Sequence, residues 1–203
     1  PNTWHPRNAE GRLQTRGASW HEAHHWARYA QEWLATSSPE ETLTFLAPCA
    51  YMLQPLLSAL RAQGIPFGNR WRTKRHDWNP LLAPPHGTGM VQRLLDFLKT
   101  PDRLWTWHEL GTWAPYLLQS ERTLQAGAKA LMTMRADQEG VCDLATLRQL
   151  FQPDALASAL TSSLDWLESV TLRTRIKALA YPCAVYRRYG RNALIEEPRI
   201  RVG

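Results

Sequence analysis

The hydrophobic pattern near the start of the chain changes from strand-like to helix-like and back. A short apolar run, LTFL at 43–46, is ended by Pro48. Leucines spaced three and four apart follow over 53–60, and Gly64 stands where a helix ends on a left-handed glycine. The extended piece IPF at 65–67 comes next. The pattern therefore predicts a strand, a helix and a second strand.

One more helix is predicted ahead of this unit. Residues 1–18 are turn-rich and extended in character. Ser19 and Glu22 have the spacing of a capping box, in which the serine oxygen accepts from the third amide and the glutamate reaches back. Apolar positions at helical spacing continue to about Ala35, so we expect a helix from Ser19 to Ala35.

After residue 89 the pattern is almost wholly helical. Thr106 and Glu109 form a second capping box, and Asp143 is a suitable N-cap. Only the final stretch, EPRIRVG at 197–203, is again strand-like. The expected fold class is therefore α/β plus α. The predicted helices of this part cover residues 90–99, 107–119, 121–135, 144–151, 153–180 and 182–189.

An α/β unit with so few strands cannot cover its own sheet edges. We therefore expect an incomplete α/β portion, with its remaining strands outside this chain, interrupted by a mainly helical insertion. The chain begins with Pro1 rather than Met, which fits an excised fragment. The predicted division is residues 1–70 for the α/β portion, 71–195 for the helical insertion and 196–203 for a strand that returns to the α/β portion.

The charge of the chain favours a nucleic-acid partner. The 203 residues carry a net charge of +6, and only four of the 24 basic residues are lysine. Arginine donates two parallel hydrogen bonds to a phosphate, which lysine cannot do. A basic surface that keeps the protein soluble is the alternative interpretation.

Several classes of protein are disfavoured by composition. Cys49, Cys142 and Cys183 form no CxxC pair, which argues against a disulfide framework or a structural zinc site and favours a reducing cytoplasm. No apolar run approaches the ~20 residues of a membrane span. Residues 1–11 are polar and contain no signal-peptide core. We expect a cytoplasmic protein that makes no membrane contact.

The order of these segments and their local sequences resemble the second motor domain of UvrD/Rep-type superfamily 1 DNA helicases. In that family a RecA-like domain, 2A, is interrupted by a helical insertion, 2B. NTWHPRNAEG and SWHEAHHWARYAQEWL look like the family's lead-in and first helix. TLTFLAPCAYMLQPLLSALRAQGIPF looks like its strand–helix–strand block, and PRIRVG like the strand that enters a later motif. The likeness covers residues 1–80; the helical block is similar only in position and size.

The resemblance implies an incomplete RecA-like portion of an ATP-dependent enzyme that translocates on single-stranded DNA and unwinds duplex DNA. The implied parent protein uses ATP and Mg²⁺, and the remaining motor domains are implied partners. This chain has no GxxxxGK[ST] loop to hold ATP phosphates, so we expect no catalytic residue in it. Within the parent helicase, we expect this chain to contact single-stranded DNA and the duplex junction and to regulate the motor. The alternative is a stand-alone helical DNA- or protein-binding module without motor activity.

One departure from the family concerns the loop after the first strand. Family members carry an arginine and an asparagine there, which face single-stranded DNA; the matching positions here are Pro48 and Ala50. Tyr51 offers a ring on which a base could stack instead. We expect a half-buried tyrosine at this position, with base stacking as the alternative.

The basic and aromatic stretch NRWRTKRHDW at 69–78 is the main candidate for DNA contact. Its cations suit a phosphate backbone and its rings suit stacked bases. A solvated loop whose Trp71 and Trp78 anchor the domain junction is the alternative. Gly87 and Gly89 could present amides to a phosphate, although a plain linker is favoured.

The end of the helical block is also basic. Arg173 and Lys177 share one helix face and could meet a duplex, whereas pairing with acidic surfaces of the motor domains, or a simply solvated role, is equally open. Arg187, Arg188 and Arg191 extend the same basic part of the chain. The predicted nucleic-acid-binding residues are Arg70, Trp71, Arg72, Lys74, Arg75, Gly87, Gly89, Arg173 and Lys177.

A zinc hydrolase is the remaining alternative, because HEAHH at 21–25 contains an H-E-x-x-H spacing. No third ligand follows at the required distance, and Glu22 is already explained by the capping box. We therefore predict a surface histidine cluster and no metal site.

Overall fold

The fold combines helices with a small parallel sheet. The computed structural model describes residues 22–68, 90–98, 103–118, 122–161, 163–170 and 173–203. The strands are β1 (Leu43–Phe45), β2 (Phe67–Gly68) and β3 (Ile200–Val202). The helices are α1 (Ala23–Thr36), α2 (Gln54–Ala62), α3 (Met90–Phe97), α4 (Trp107–Trp113), α5 (Ala128–Met134), α6 (Leu144–Leu150), α7 (Pro153–Thr161), α8 (Leu164–Val170) and α9 (Arg173–Tyr189), with 3₁₀ turns at Ala50–Leu53 and Asn192–Leu194.

The three strands form one sheet in the order β1-β3-β2, and both pairings are parallel. Ile200 of β3 is level with Leu43 of β1 and with Phe67 of β2. The last strand in the sequence is therefore the middle strand of the sheet. This mixture of helices and a small parallel sheet is compatible with the α/β plus α class, and the strands expected near residues 43 and 200 are present.

Local signals placed three helix ends correctly. Gly64 follows α2 with a φ of +63°, the left-handed conformation that glycine adopts at little cost. Thr106 and Glu109 make both hydrogen bonds of a capping box at the start of α4. The Asp143 carboxylate accepts from the Thr146 amide at 2.7 Å and caps α6.

The start of α1 differs from the prediction. The helix begins at Ala23, and Glu22 has a non-helical backbone with no capping hydrogen bond from its side chain. The predicted start at Ser19 is therefore wrong, and Ser19 itself lies outside the described residues.

The predicted helix over 121–135 begins only at Ala128. Ahead of it the backbone pairs with the end of α6: Gln125 N–H donates to the Leu150 carbonyl at 2.9 Å, and Gln152 N–H donates to the Thr123 carbonyl at 3.1 Å. Hydrogen bonds to a distant segment have replaced those of a helix turn. The helix predicted over 107–119 is also shorter and ends at Trp113.

The single helix predicted over 153–180 is three helices, α7, α8 and α9. The Ser163 hydroxyl accepts from the Trp166 amide at 3.2 Å and so begins α8 afresh. The prediction of a separate helix beginning at Pro182 is also wrong, because Pro182 lies inside α9. A proline costs an interior helix one amide hydrogen bond, which tertiary packing offsets here.

Aromatic side chains form the centre of the helical block. The Phe97 ring lies 4.3 Å from the Trp113 ring and stacks on the Trp166 ring at 5.0 Å, measured between centroids. Trp105 donates its indole N–H to the Phe97 carbonyl at 3.1 Å, which satisfies the one polar atom of a fully buried ring. The apolar core continues without a break from this cluster to α2 and the sheet.

Candidate nucleic-acid interface

The arginines at the end of α9 bind other parts of the same chain. Arg187 forms a two-pronged ion pair with Glu168 of α8, at 2.6 and 2.8 Å, and reaches Asp165 at 3.2 Å. A fork-to-fork pair of this kind fixes the guanidinium plane. Arg187 is therefore engaged in holding α8 against α9.

Two further arginines cap helix ends. Arg188 donates to the Gln63 carbonyl at 2.6 Å, just after α2. Arg191 donates to the Leu98 carbonyl at 2.5 Å, just after α3. Unpaired carbonyls and the negative end of the helix dipole both favour a cation at these places. These three arginines are therefore bonded within the chain itself, a role that the sequence did not predict for them.

Arg199, just before β3, binds the segment that connects α1 to β1. Its guanidinium donates to the carbonyls of Glu41 at 3.1 Å and Ser38 at 2.6 Å, and also to the Ser37 hydroxyl. The same group lies 5.0 Å from the centre of the Trp33 ring, a cation–π distance. The connection between α1 and β1 is thereby tied to the entry of the middle strand.

Tyr181 of α9 closes the outer edge of β2. Its hydroxyl donates to the Ile65 carbonyl at 2.8 Å and accepts from the Phe67 amide at 3.3 Å. Burial raises the pKa of this phenol well above its ordinary value, so the hydroxyl keeps its proton. The sequence holds no local signal for this contact, because the partners are more than one hundred residues apart.

Exposed apolar side chains lie where β1 ends. The carboxyl ends of parallel strands meet at one edge of a sheet, here called the carboxyl edge, and ligands of open α/β sheets bind at this edge. Leu46 is 68% exposed and Tyr51 is 74% exposed, and Cys49 between them is also exposed. The prediction of a half-buried Tyr51 is wrong, because Leu53 fills the core position of this turn.

The same edge is where the chain leaves β2. Gly68 is the last described residue there and is level with Arg201 of β3. Arg70 follows it by two residues in the sequence. The predicted DNA contacts Arg70, Trp71, Arg72, Lys74, Arg75, Gly87 and Gly89 lie outside the described residues, and Arg173 and Lys177 are described in backbone only, four residues apart on α9.

Metal-ligating side chains and reactive thiols are two further kinds of group that could form a functional site. No group of three or more His, Cys, Asp or Glu residues in the described ranges is arranged to hold a metal ion. His21 of the H-E-x-x-H spacing lies outside these ranges, and Glu22 precedes the helix. Burial raises the pKa of Cys142 to about 11 and of Cys183 to about 12, so both thiols are protonated at neutral pH.

Among the described helices, none has the length and apolar character needed to cross a membrane.

No protein-family model, curated protein or solved structure matches this chain. The resemblance to UvrD/Rep-type helicases therefore depends on the quoted sequence stretches and on the order of the elements.

Proposed function

We propose that this chain is part of an ATP-dependent DNA helicase of the UvrD/Rep type, comprising part of a RecA-like 2A domain and an inserted 2B block. One observation carries the proposal. β3 follows the helices from α3 to α9 in sequence and yet lies between β1 and β2, parallel to both. A helical block inserted into a parallel sheet in this way supports the split-domain arrangement of that family.

The carboxyl edge is the proposed DNA surface. Tyr51 presents its ring to solvent in the loop where the family has a polar DNA-contacting pair. An exposed ring stacks on a base of any sequence, as sequence-independent translocation requires. Arg70, Arg72, Lys74 and Arg75 come after β2 in the sequence and would position the phosphate backbone rather than read bases.

The proposed share of this chain in the mechanism is binding and regulation. ATP and Mg²⁺ would be held by the remaining motor domains, since the sequence has no phosphate-binding GxxxxGK[ST] loop. Gly87, Gly89, Arg173 and Lys177 are further candidates for contact with the duplex. Because the apolar core is continuous between the sheet and the helical block, DNA binding at one would be coupled to the position of the other.

Two measurements test the proposal. The 203-residue chain should bind a fluorescent single-stranded oligonucleotide with an affinity that falls steeply with salt, and should not hydrolyse ATP. The longer polypeptide in which these residues occur should hydrolyse ATP, faster when single-stranded DNA is present. A chain without DNA affinity, in a polypeptide without DNA-stimulated ATPase activity, would overturn the proposal.

A stand-alone protein-binding module is the second candidate, favoured by exposed apolar residues at the end of α5 and shortly before α6. Met134 is 73% exposed and Val141 is 60% exposed, with exposed Asp137 and Glu139 between them. Exposed apolar side chains and carboxylates in one short segment suit a cationic partner with apolar anchors. Under this candidate, Tyr51→Ala leaves binding of the partner protein unchanged, whereas Val141→Asp abolishes it.

A further inference from the structure

A pocket lies where β2 and β3 begin, at the edge of the sheet opposite the carboxyl edge. Pro66 comes just before β2, and Pro198 and Arg199 come just before β3. The volume of the pocket is about 160 Å³. Its other lining residues are Leu34, Tyr189, Ala193, Glu196 and Glu197. Because parallel strands begin at one edge of a sheet and end at the other, this pocket is separate from the proposed DNA surface.

The walls of the pocket are largely apolar. Leu34, Pro66, Ala193 and Pro198 line it with side chains that contain only carbon and hydrogen. A cavity of about 150 Å³ holds one benzene molecule. A guanidinium with two methylene groups has as many heavy atoms as benzene, so the pocket has the size of the outer part of an arginine side chain.

Two carboxylates give the pocket a preference for a cation. Glu196 and Glu197 are both exposed. The Glu197 carboxylate lies 3.7 Å from the Arg201 guanidinium. Within the described ranges, the Glu196 carboxylate forms no hydrogen bond or ion pair with another residue. A guanidinium that entered the pocket would therefore find a carboxylate ready to accept charge-assisted hydrogen bonds.

Two nearby arginines of the same chain bond elsewhere. The Arg199 guanidinium donates to the connection between α1 and β1, so Arg199 pairs with acceptors outside the pocket. The Arg188 guanidinium lies 6.0 Å from the centre of the Tyr189 ring and donates to the carbonyl that follows α2. Neither arginine pairs with Glu196.

The hydroxyl of Tyr189 supplies an independent observation. This oxygen is buried and has no hydrogen-bond partner among the described residues. A buried hydroxyl that is left unpaired costs about 1–3 kcal/mol. A ligand N–H that donates to this oxygen would recover that free energy, which points to a ligand with several donors.

We propose that this pocket binds the guanidinium of an arginine residue carried by a partner protein. The carboxylates and the Tyr189 hydroxyl would accept its hydrogen bonds, and the apolar walls would cover its methylene groups. Lysine suits the pocket less, because its ammonium is compact and strongly hydrated. Ile195, which is 62% exposed beside Glu196, offers an apolar contact to the neighbour of that arginine in the partner. The inference goes beyond the proposed function and does not depend on it.

Titration with capped amino acids, followed by nuclear magnetic resonance of the 203-residue chain, tests the pocket. Acetyl-arginine methylamide should give saturable shifts of the amides between Ala193 and Arg199. The citrulline derivative has the same shape without the charge, and should bind at least about tenfold more weakly. The lysine derivative should also bind more weakly. Equal affinities for the arginine and citrulline derivatives, or no saturable shift, would overturn the inference.

Three variants locate the binding. Tyr189→Phe and Glu196→Gln should each weaken binding of the arginine derivative by about tenfold. Tyr189→Phe should not lower the melting temperature, because the hydroxyl that it removes has no partner in the described structure. Glu139→Gln is the matched control, since Glu139 is an exposed carboxylate between α5 and α6 and should leave the affinity unchanged. A Tyr189→Phe variant that melts earlier and binds arginine normally would contradict the inference.

Other occupants of the pocket give different results. Free arginine should bind more weakly than its capped form, because its own carboxylate would lie near Glu196 and Glu197; tighter binding would assign the pocket to a small molecule instead of a partner protein. Absence of binding together with a lower melting temperature of Glu196→Gln would show that the chain fills its own pocket. Both results overturn the inference.

The inference and the proposed function fail separately. Arginine binding by a chain without DNA affinity, in a polypeptide without DNA-stimulated ATPase activity, overturns the function alone. DNA-stimulated ATPase activity without discrimination between the arginine and citrulline derivatives overturns the inference alone.

Discussion

The end of α9 and the carboxyl edge of the sheet are both candidates for a binding surface, and they are built in opposite ways. At the end of α9 and just after it, Arg187, Arg188 and Arg191 are positively charged, but each is bonded to another part of the same chain. At the carboxyl edge, Leu46 and Tyr51 are uncharged and open to solvent. The comparison shows that the charge of a segment is not enough to locate an interface. What matters is whether its side chains are exposed or already bonded within the chain.

The largest expected effect concerns the contact of α9 with α2. A Cβ at Gly64 would lie 2.7 Å from Ala184, and its φ of +63° disfavours a side chain in any case. We expect Gly64→Ala to lower the free energy of unfolding by about 2–4 kcal/mol, through overpacking and backbone strain. Urea unfolding measures this.

Gly127→Ala is the matched control, since Gly127 has a φ of +77° and no neighbour within 4 Å of the position that a Cβ would take. It should cost about 1 kcal/mol, from the backbone conformation alone. Equal losses for the two variants would show that α9 is not tightly seated on α2.

The basic stretch after β2 should dominate the salt dependence of DNA binding. Replacing Arg70, Arg72, Lys74 and Arg75 together by alanine should make the slope of log affinity against log salt shallower by about 3, because each phosphate contact contributes about 0.7 on single strands. Fluorescence anisotropy at several salt concentrations measures the slope. An unchanged slope would remove this stretch from the DNA surface.

Tyr51→Ala should weaken binding of a single-stranded oligonucleotide by about 1–3 kcal/mol, the usual value of one stacked base. Tyr51→Phe should retain the affinity, since stacking needs the ring and not the hydroxyl. Because the ring is exposed, neither variant should change the melting temperature appreciably. A loss shared by the phenylalanine variant would argue for a hydrogen bond instead of stacking.

The smallest effect belongs to the α9 arginines. Arg187→Ala should lower the free energy of unfolding by about 0.5–1 kcal/mol, because its partners Asp165 and Glu168 are partly or largely exposed and solvent screens the pair. DNA affinity and its salt slope should stay as in the parent chain. A shallower slope for Arg187→Ala would place the end of α9 on the DNA surface and reverse the comparison.

Several features that depend on neighbouring residues were predictable from the sequence, although the start of α1, predicted from the equally local pair Ser19 and Glu22, was not. The β1 strand, the glycine end of α2 and the caps on α4 and α6 each follow from a few adjacent side chains, and all are present. The division of residues 153–180 into three helices was not predictable, because helical spacing alone does not reveal that Ser163 starts a new helix.

The exposure of Tyr51 could not be predicted from the sequence, and neither could the hydrogen bonds of the arginines at the end of α9. Both depend on which distant elements pack nearby, and an apolar or basic residue has the same local pattern whether it faces the core, a helix end or solvent. Arg191 and its acceptor Leu98 are 93 residues apart. The exposed ring of the candidate site was therefore not predictable, and the predicted cations between Arg70 and Arg75 lie outside the described residues.

The most direct test of the carboxyl edge as the DNA surface uses Cys49, which lies two residues before Tyr51. It is exposed, whereas Cys142 and Cys183 are buried and serve as internal controls. A saturating single-stranded oligonucleotide should slow alkylation of Cys49 in the 203-residue chain in proportion to occupancy, and Tyr51→Ala should shift the protection to higher oligonucleotide concentration. An alkylation rate of Cys49 that stays the same when the oligonucleotide is fully bound would contradict the account.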